Sequence, residues 1–175
     1  MHQRIEDVAK EVIGIDVSAE AIGFLRAAGM STVYLGDAEK LSAAPLRGAF
    51  DVVVAGELME HLENPGCFLE GVRGVLTRGG SLLVTTANAL SVLGAMRAML
   101  GREIVHPEHT FYFSQRTLSE LCSRYDFKCV EYGFYAPPTR SALKKAMRRP
   151  LESWWRHLSP WSAPGLVARY EGRTT

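Results

Sequence analysis

An alternation of short apolar runs with longer helical segments constrains the fold of this chain more than any other feature of its sequence. Three runs rich in β-branched residues each end close to an acid or a glycine: residues 11–17, 32–37 and 50–55. Helical periodicity follows the first and third runs, at 19–28 and 64–76. Strands that alternate with helices imply βαβ units. The sequence therefore predicts an α/β fold with a mainly parallel sheet and helices on both faces.

Further elements are predicted along the second half of the chain. A glycine pair at 79–80 indicates a turn into a fourth strand, and Pro137-Pro138 ends an outer strand of alternating polarity. The elements predicted after the turn are strands at 81–86, 127–135 and 166–170 and helices at 90–100 and 115–125. Because 175 residues suit one domain, we expect residues 1–175 to form a single domain.

Charge divides the chain into two parts. Residues 1–138 carry 12 basic and 17 acidic side chains, a net charge of −5, whereas residues 139–175 carry 8 and 2, a net charge of +6. We expect an acidic nucleotide-fold body and a basic, tryptophan-bearing helical segment that precedes the last strand. Two roles are open for that segment. It forms a flap over the substrate pocket, which is the role we favour, or it makes peripheral membrane contact through residues 140–161. The acidic body argues against nucleic-acid binding.

Composition excludes several other classes of protein. No apolar run reaches the roughly 18 residues of a membrane span, and the first residues lack the apolar stretch of a secretory signal. The three cysteines, Cys67, Cys122 and Cys129, have no Cys-x-x-Cys spacing, so neither a disulfide framework nor a zinc site is expected. We therefore expect a cytoplasmic protein.

Polar residues at the strand ends are candidates for ligand binding, because open α/β sheets bind ligands beyond the carboxyl ends of their strands. Asp16 ends the first strand, where a carboxylate can accept hydrogen bonds from both hydroxyls of a ribose. Asp37 ends the second strand, and Gly56 follows the third and allows a ligand to approach the backbone. A helix N-cap or a solvated turn explains any one acid equally well. The ordered set is stronger evidence for a bound nucleotide.

Several segments together resemble class I S-adenosylmethionine-dependent methyltransferases, and most closely the ubiquinone-biosynthesis type of O-methyltransferase. They are residues 12–18, 36–38, 50–62 and 78–88, with 106–109 and 113–118 similar to the segment after the fifth strand. The resemblance runs from about residue 5 to about residue 135 in the order of the family. It implies a Rossmann-like sheet, S-adenosylmethionine as cofactor and in-line transfer of a methyl group to an O, N or C nucleophile.

The resemblance implies a cofactor-binding role for each matching residue. Asp16 is expected to bind both ribose hydroxyls, Asp37 to bind the adenine amino group, and Gly56 to border the methionine portion. Val17 is expected to lie against the adenine, with the backbone of Ala38 beside it. The implied cofactor-binding set is Asp16, Val17, Asp37, Ala38, Gly56 and Glu57.

Glu57, Glu60 and His61 form a separate group whose spacing of i, i+3, i+4 places them on one face if the segment is helical. In some quinone O-methyltransferases a similar set is associated with a divalent metal, for which these side chains are suitable ligands. We favour packing and hydrogen bonding near the cofactor pocket and predict no metal. His61 is the candidate general base because imidazole titrates near neutral pH. His106 and His109 either line the substrate side or are solvated.

One element of the family is missing from the sequence. Its members begin with a strand and a glycine-rich turn that meets the methionine end of the cofactor, whereas residues 1–10 resemble the helix that follows. The absent strand is expected between the strands that end at Asp16 and Ala55, where its loss leaves backbone unpaired. Three explanations stay open: a fragment with a wrong start, a shortened variant whose flanking strands pair directly, or a strand from another chain.

These observations predict methyl transfer to a small-molecule acceptor, with O-methylation as the first choice, and they are compatible with an oligomer. The alternative is a non-catalytic, truncated methyltransferase-like module that binds a partner. A nucleotide-sugar or dinucleotide enzyme is a third hypothesis because Asp16 suits those ligands too, but Asp37 and residues 57–61 favour the methyltransferase. Acceptor contacts are expected from residues 89–113 and 136–163.

Overall fold

Four α-helices, six β-strands and two 3-10 turns make up the part of the chain that the computed structural model describes, which is residue 5 and residues 7–43, 49–102, 106–136 and 159–172. The strands are β1 (Gly14–Asp16), β2 (Val33–Leu35), β3 (Phe50–Gly56), β4 (Leu76–Ala87), β5 (Phe127–Tyr135) and β6 (Gly165–Gly172). The helices are α1 (Ala19–Ala27), α2 (Pro65–Val75), α3 (Val92–Met99) and α4 (Gln115–Ser123). The 3-10 turns are Ala38–Ala43 and Pro160–Ser162.

The strands form two separate sheets. β1 and β2 pair in parallel, with Gly14 opposite Val33 and Asp16 opposite Leu35. The larger sheet has the order β3-β4-β6-β5, in which β3 and β4 are parallel and β6 runs antiparallel to both of its neighbours. Strands and helices alternate from β1 to β4. The α/β fold predicted from the sequence is therefore confirmed.

Side-chain caps set the helix starts. Ser18 Oγ accepts the N–H of Ala21 at 3.1 Å, and Asn64 Oδ1 accepts two N–H groups of the first turn of α2. Ser114 and Thr117 form a reciprocal capping box at the start of α4. Such caps satisfy N–H groups that lack an intrahelical partner and contribute about 1 kcal/mol each. The helix starts predicted at these three positions are confirmed.

The glycine pair 79–80 forms a bulge inside β4 and does not precede it. Leu76 at the start of β4 pairs with Phe50, and the next pair joins Ser81 to Val52. Four residues of β4 therefore lie opposite one residue of β3, and Gly79 has the left-handed φ of 80° that such a bulge requires. The predicted strand start at residue 81 was too late for this reason.

Within the described residues, a hydrophobic core lies between the larger sheet and helices α2 and α4. Its largest fully buried side chain is Tyr170 of β6, whose hydroxyl lies 3.3 Å from Ser119 Oγ on α4. Burial raises the pKa of the Tyr170 hydroxyl well above its usual value, so the phenol stays neutral. Phe68 of α2 and Phe127 of β5 are also fully buried. The core therefore joins elements from both ends of the chain.

A cleft of about 500 Å³ separates β1 from β3, and we call it the central cleft. The two strands belong to different sheets. The hypothesis that these flanking strands pair directly is therefore wrong. The predicted gap between the strand that ends at Asp16 and the strand that contains Ala55 is present in the fold.

Backbone alternation shows which groups face the central cleft. Gly14 N donates to Thr32 O and Gly36 N donates to Asp16 O, so alternate residues of β1 bond to β2. The peptide groups of Ile15 between them therefore point to the opposite edge. On β3, Glu57 N donates to Thr85 O, and alternation then directs the backbone of Val54 away from β4. Two strand edges whose backbone groups have no strand partner within the described residues thus border the same cleft.

Some predicted features lie outside the described residues. They are residues 1–4 and 6 of the helix predicted at 1–10 and the whole basic segment at 141–158, so the flap and the membrane contact through 140–161 stay predictions. The described residues 7–10 form a turn and a bend, so the predicted helix does not extend over them. Trp161, at the end of the range 140–161, is described and packs on β5, with ring centroids 5.6 Å from Tyr132 and 5.1 Å from Phe134. None of the helices in the described ranges combines the length and the hydropathy of a membrane span.

Two glycines of α2 provide a matched test of helix packing. A Cβ atom at Gly71 would lie 2.6 Å from Leu41 Cβ and 3.0 Å from Ser42 N, whereas one at Gly74 meets nothing within 4 Å. We expect Gly71→Ala to lower the free energy of unfolding by about 1–3 kcal/mol. Gly74→Ala is expected to raise it by about 0.5–1 kcal/mol through helix propensity. Urea denaturation measures both, and equal effects would contradict the close packing of α2 on residues 38–43.

Candidate functional site

The carboxyl ends of β1 and β3 meet at the central cleft. Asp16, the last residue of β1, and Gly56, the last residue of β3, both line it, together with Ala38 and Glu57. The apolar part of the lining includes Ile22, Val33, Leu41, Val54, Leu58 and Phe68. Four of the six predicted cofactor-binding residues therefore share one cavity, at the edge where open α/β sheets bind ligands.

Asp16 presents an exposed carboxylate at the rim of the cleft. Its Oδ1 accepts the backbone N–H of Ser18 at 2.8 Å, which orients the side chain just before α1. A carboxylate has about four acceptor positions. The single bond to Ser18 therefore leaves capacity for two hydroxyl donors of a ligand.

Asp37 and Val17 stand beside the cleft and are not among its lining residues. Asp37 Oδ1 accepts the N–H of Glu39 at 2.9 Å, and its Oδ2 lies 3.0 Å from Lys40 Nζ. The hydrogen bond from Lys40 lowers the pKa of Asp37 most, and the bond from the Glu39 backbone lowers it further. Asp37 is therefore an anionic acceptor at neutral pH. Val17 is 77% exposed, so its side chain is free to contact a ligand at the rim.

Glu57 holds an unusual backbone conformation at the end of β3. Its φ of 50° lies in the left-handed region, which costs energy for any residue except glycine. Its N–H donates to Thr85 O at 2.8 Å, which continues the β3–β4 ladder by one residue. Residues 57–61 then form a turn, so the helix assumed for the spacing of Glu57, Glu60 and His61 is wrong. The left-handed φ of Glu57 is the physical reason.

Tyr135 at the end of β5 donates a hydrogen bond from its hydroxyl to Glu57 Oε1. Burial raises the pKa of Tyr135 well above its usual value, and the adjacent Glu57 carboxylate raises it further. The phenol is therefore a permanent donor and not a base at neutral pH. The ring packs tightly on Gly165, where a Cβ atom would lie 2.6 Å from Tyr135 Cζ. This contact depends on the pairing of β5 with β6, and no local pattern in the sequence marks Tyr135.

Glu60 is fully buried and belongs to the internal framework of the site. Its Oε2 accepts a hydrogen bond from Thr86 Oγ1 at 2.8 Å, and its Oε1 has no partner within the described ranges. Its backbone carbonyl accepts the N–H of Thr110 at 2.8 Å and the Thr110 hydroxyl at 3.0 Å. Glu60 thus links the turn after β3 both to β4 and to the loop that contains Thr110.

His61 lies next to His106 and His109, and the lining of the cleft does not include it. Its ring centroid is 5.7 Å from that of His106 and 4.6 Å from that of His109. His61 Nδ1 lies 3.2 Å from Glu108 O, which fixes the ring orientation. Burial lowers the pKa of His109, and the neighbouring His61 lowers it further. The predicted general base is therefore part of a three-histidine cluster.

Three polar residues at the carboxyl end of β4 were not predicted as part of the site. Thr85 and Thr86 contact Glu57 and Glu60, and Asn88 Nδ2 donates to Trp161 O at 2.7 Å and to Ala163 O at 2.8 Å. They stand at the carboxyl end of a predicted strand, which is the same signal that identified Asp16 and Asp37. Asn88 ties the segment before β6 to the end of β4.

A family model described as a methyltransferase domain matches residues 2–132 of this chain. This range contains β1 to α4 and most of β5, and therefore every residue predicted for the site. The match covers about three quarters of the 175 residues.

Two relatives of similar sequence are named ubiquinone biosynthesis O-methyltransferase. The protein from Paraburkholderia xenovorans (strain LB400) is 27% identical over 109 residues, which are 60% of this chain and 47% of the relative. The protein from Glaesserella parasuis serovar 5 (strain SH0165) is 27% identical over 143 residues, which are 73% of this chain and 60% of the relative. The chain thus spans about half the length of the first of these curated relatives.

A solved structure with a similar fold is the SAM-dependent methyltransferase from Archaeoglobus fulgidus. It superposes with a TM-score of 0.69 at 16% sequence identity, over 97% of this chain and 79% of the other. At this level of identity the similarity concerns the fold. The Rossmann-like class I methyltransferase architecture expected from the sequence is confirmed.

Two threonines of β4 test the buried link between Glu60 and Thr86. We expect Thr86→Val to lower the free energy of unfolding by about 1–3 kcal/mol, because it removes the hydrogen-bond donor to a buried carboxylate. Thr77→Val on the same strand removes an exposed bond to Asp51 and is expected to change it by less than about 0.5 kcal/mol. Urea denaturation of both variants measures the difference. A neutral Thr86→Val would show that Glu60 does not depend on this bond.

Proposed function

This chain belongs to the methyltransferase domain family, and we propose that it transfers the methyl group of S-adenosylmethionine to an oxygen atom of a small-molecule acceptor. S-adenosylmethionine is the cofactor of this family and fold. The observation that carries the proposal is the central cleft, in which Asp16, Gly56 and Glu57 meet at the carboxyl ends of two strands. The choice of oxygen is supported by the names of the two O-methyltransferase relatives.

The residues of the central cleft fit the chemical groups of the cofactor. In our proposal the Asp16 carboxylate accepts hydrogen bonds from the two ribose hydroxyls, for which its free acceptor positions suffice. The ionised Asp37 and the backbone of Ala38 bind the adenine edge, and Val17 covers its face. The apolar walls from α1 and α2 exclude water around the base and the ribose.

Gly56 and Glu57 border the methionine portion in this proposal. Gly56 has no side chain, so a ligand can approach the end of β3 closely. The Glu57 carboxylate is held by the Tyr135 hydroxyl and supplies a negative charge beside the site. Because the pKa of Tyr135 is raised, the phenol keeps its proton and keeps Glu57 in place. When bound, the cofactor supplies an electrophilic methyl group with a good leaving group.

His61 is the proposed general base for the acceptor. Its Nδ1 is oriented by the Glu108 carbonyl, so the proton of the neutral ring lies on Nδ1 and Nε2 is free to accept. It lies on the turn that leaves the cleft at Glu57, and in this proposal a bound acceptor extends from the cleft to His61. In this proposal His61 Nε2 takes the hydroxyl proton as the acceptor oxygen attacks the methyl group.

Titration calorimetry with S-adenosylmethionine tests the cofactor assignment. We expect Asp16→Asn to weaken binding by about tenfold or more, equivalent to about 1.4 kcal/mol, because one charged acceptor for the ribose is lost. The control is Asp51→Asn at the opposite end of β3, which should bind like the unaltered chain. Absence of binding by the unaltered chain at millimolar cofactor would favour the alternative of a non-catalytic binding module.

Turnover with a panel of small hydroxyl-bearing acceptors tests the proposed reaction. We expect formation of S-adenosylhomocysteine by the unaltered chain, and His61→Gln should lower kcat by about 100-fold or more because the base is lost. Glu63→Gln, an exposed substitution two residues away, is the control and should retain kcat. If His61→Gln retains kcat as well, His61 is not the base.

A further inference from the structure

Two segments of the chain bring three histidines together. His61 belongs to the turn after β3, where its N–H donates to Leu58 O at 2.9 Å. His106 and His109 belong to a second turn, closed by the bond from His109 N to His106 O at 3.0 Å. Thr110 joins the two turns, because its hydroxyl lies 3.0 Å from Glu60 O and 2.7 Å from Leu62 O. The backbone therefore holds the three rings near one another.

The distances between the rings suit a shared ion. One ring nitrogen from each histidine lies within 4.8 Å of the other two, and no other group of three or more ligand side chains occurs in the described ranges. Ligand nitrogens around a tetrahedral zinc ion lie about 3.4 Å apart, given Zn–N bonds of about 2.1 Å. Ion binding therefore requires side-chain rotations that bring the three nitrogens closer together.

The surroundings of the cluster match those of a metal site. The contact between His61 Nδ1 and Glu108 O leaves Nε2 free, which is the arrangement that metal-bound histidines usually have. His109 Nδ1 is buried and has no hydrogen-bond partner within the described ranges, so it lacks the contact that burial normally requires. His106 Nδ1 makes only a long contact of 3.4 Å with Glu108 N. If His106 binds the ion through Nδ1, this contact is lost.

Each nearby carboxylate has one oxygen with a partner, and Glu60 Oε1 has none within the described ranges. Neither carboxylate belongs to the group of ligand atoms that lie together. Glu57 accepts a hydrogen bond from Tyr135, and Glu60 is buried against Thr86. A site made of three imidazoles and no carboxylate selects a transition metal such as zinc and not magnesium. His106 is exposed, so the cluster is open to solvent on one side.

We propose that His61, His106 and His109 bind one divalent transition-metal ion, with zinc as the model ion and a fourth position open to an oxygen ligand. The expectation that no zinc site is present rested on the cysteines, and these three residues are a different ligand set. Three histidines with one open position are the arrangement of catalytic zinc sites.

A metal ion at this site would affect how the acceptor loses its proton. This consequence rests on the proposed methyl transfer. An acceptor hydroxyl bound at the open position would lose its proton more readily, because a divalent ion lowers the pKa of a bound oxygen. With its Nε2 on the ion, His61 would not also accept the proton, so this step would replace the general-base role proposed above. The proton would pass to solvent water, to which the cluster is open at His106. The binding of the ion does not depend on this step.

Calorimetric titration of zinc chloride into the chelator-treated full chain tests the site. We expect one ion per chain, confirmed by elemental analysis after gel filtration. His61→Ala and His109→Asn should each weaken binding by roughly 100-fold or more, since even outer-shell changes cost 10- to 100-fold. His106→Ala should have the smallest effect of the three because its ligation displaces a hydrogen bond. Circular dichroism of each variant verifies that it is folded.

Two controls make the assignment specific. Glu108→Ala keeps the carbonyl that orients His61 and should bind zinc like the unaltered chain. Glu57→Gln tests the other ligand set, which is Glu57, Glu60 and His61. If Glu57→Gln abolishes zinc binding while His106→Ala and His109→Asn do not, the ion belongs to that set. The proposal is then overturned. Absence of zinc binding by the folded chain also overturns it.

Cobalt(II) and S-adenosylmethionine provide two independent readouts. The visible absorption of four-coordinate Co²⁺ should appear with the unaltered chain and disappear with His61→Ala; its persistence would contradict ligation by His61. Titration of S-adenosylmethionine into the same zinc-free preparation reports on the proposed function separately. Retained cofactor binding together with absent metal binding would reject the metal site alone.

Discussion

The insertion of β6 between β4 and β5 is the interaction on which the rest of the structure depends. β6 pairs along its length with both neighbours, and Leu166, Ala168 and Tyr170 on this strand are fully buried. Without β6, β5 has no partner strand in the described structure, and α4 loses the hydroxyl contact between Ser119 and Tyr170. The same pairing brings the end of β5 to the end of β3, because β6 lies antiparallel between β5 and the parallel pair β3 and β4. The pairing of β6 therefore brings Tyr135 to Glu57 at the candidate site.

The division into two sheets explains where the central cleft lies. The facing edges of β1 and β3 keep backbone groups that no strand pairs within the described residues, and such groups require another strand, water or a ligand. The acids at the ends of β1 and β2 border the same region. The polar edges and the apolar walls together form the kind of cavity in which a nucleoside binds.

The proposed cofactor site and the proposed metal site meet at the turn of residues 57–61. Glu57 starts this turn on the side of the cleft, and His61 ends it on the side of the loop with His106 and His109. A buried contact from Thr86 and a partly buried one from Thr110, both to Glu60, hold the turn in place. A connection of this kind fixes the distance between a methyl donor and an acceptor, which is the main contribution a protein makes to such a transfer.

The sequence by itself determined the alternation of strands and helices, the helix starts near Ser18, Asn64 and Ser114, and the acids at the strand ends, because these depend on neighbours within a few residues. It also indicated the gap beside β1. Only the tertiary structure decided that β1 and β3 stay unpaired, that Tyr135 holds Glu57, and that His61 lies with His106 and His109 and not with Glu60. These contacts join residues between 45 and 78 positions apart. Local periodicity carries no information about them, since they arise from the order in which strands and loops pack.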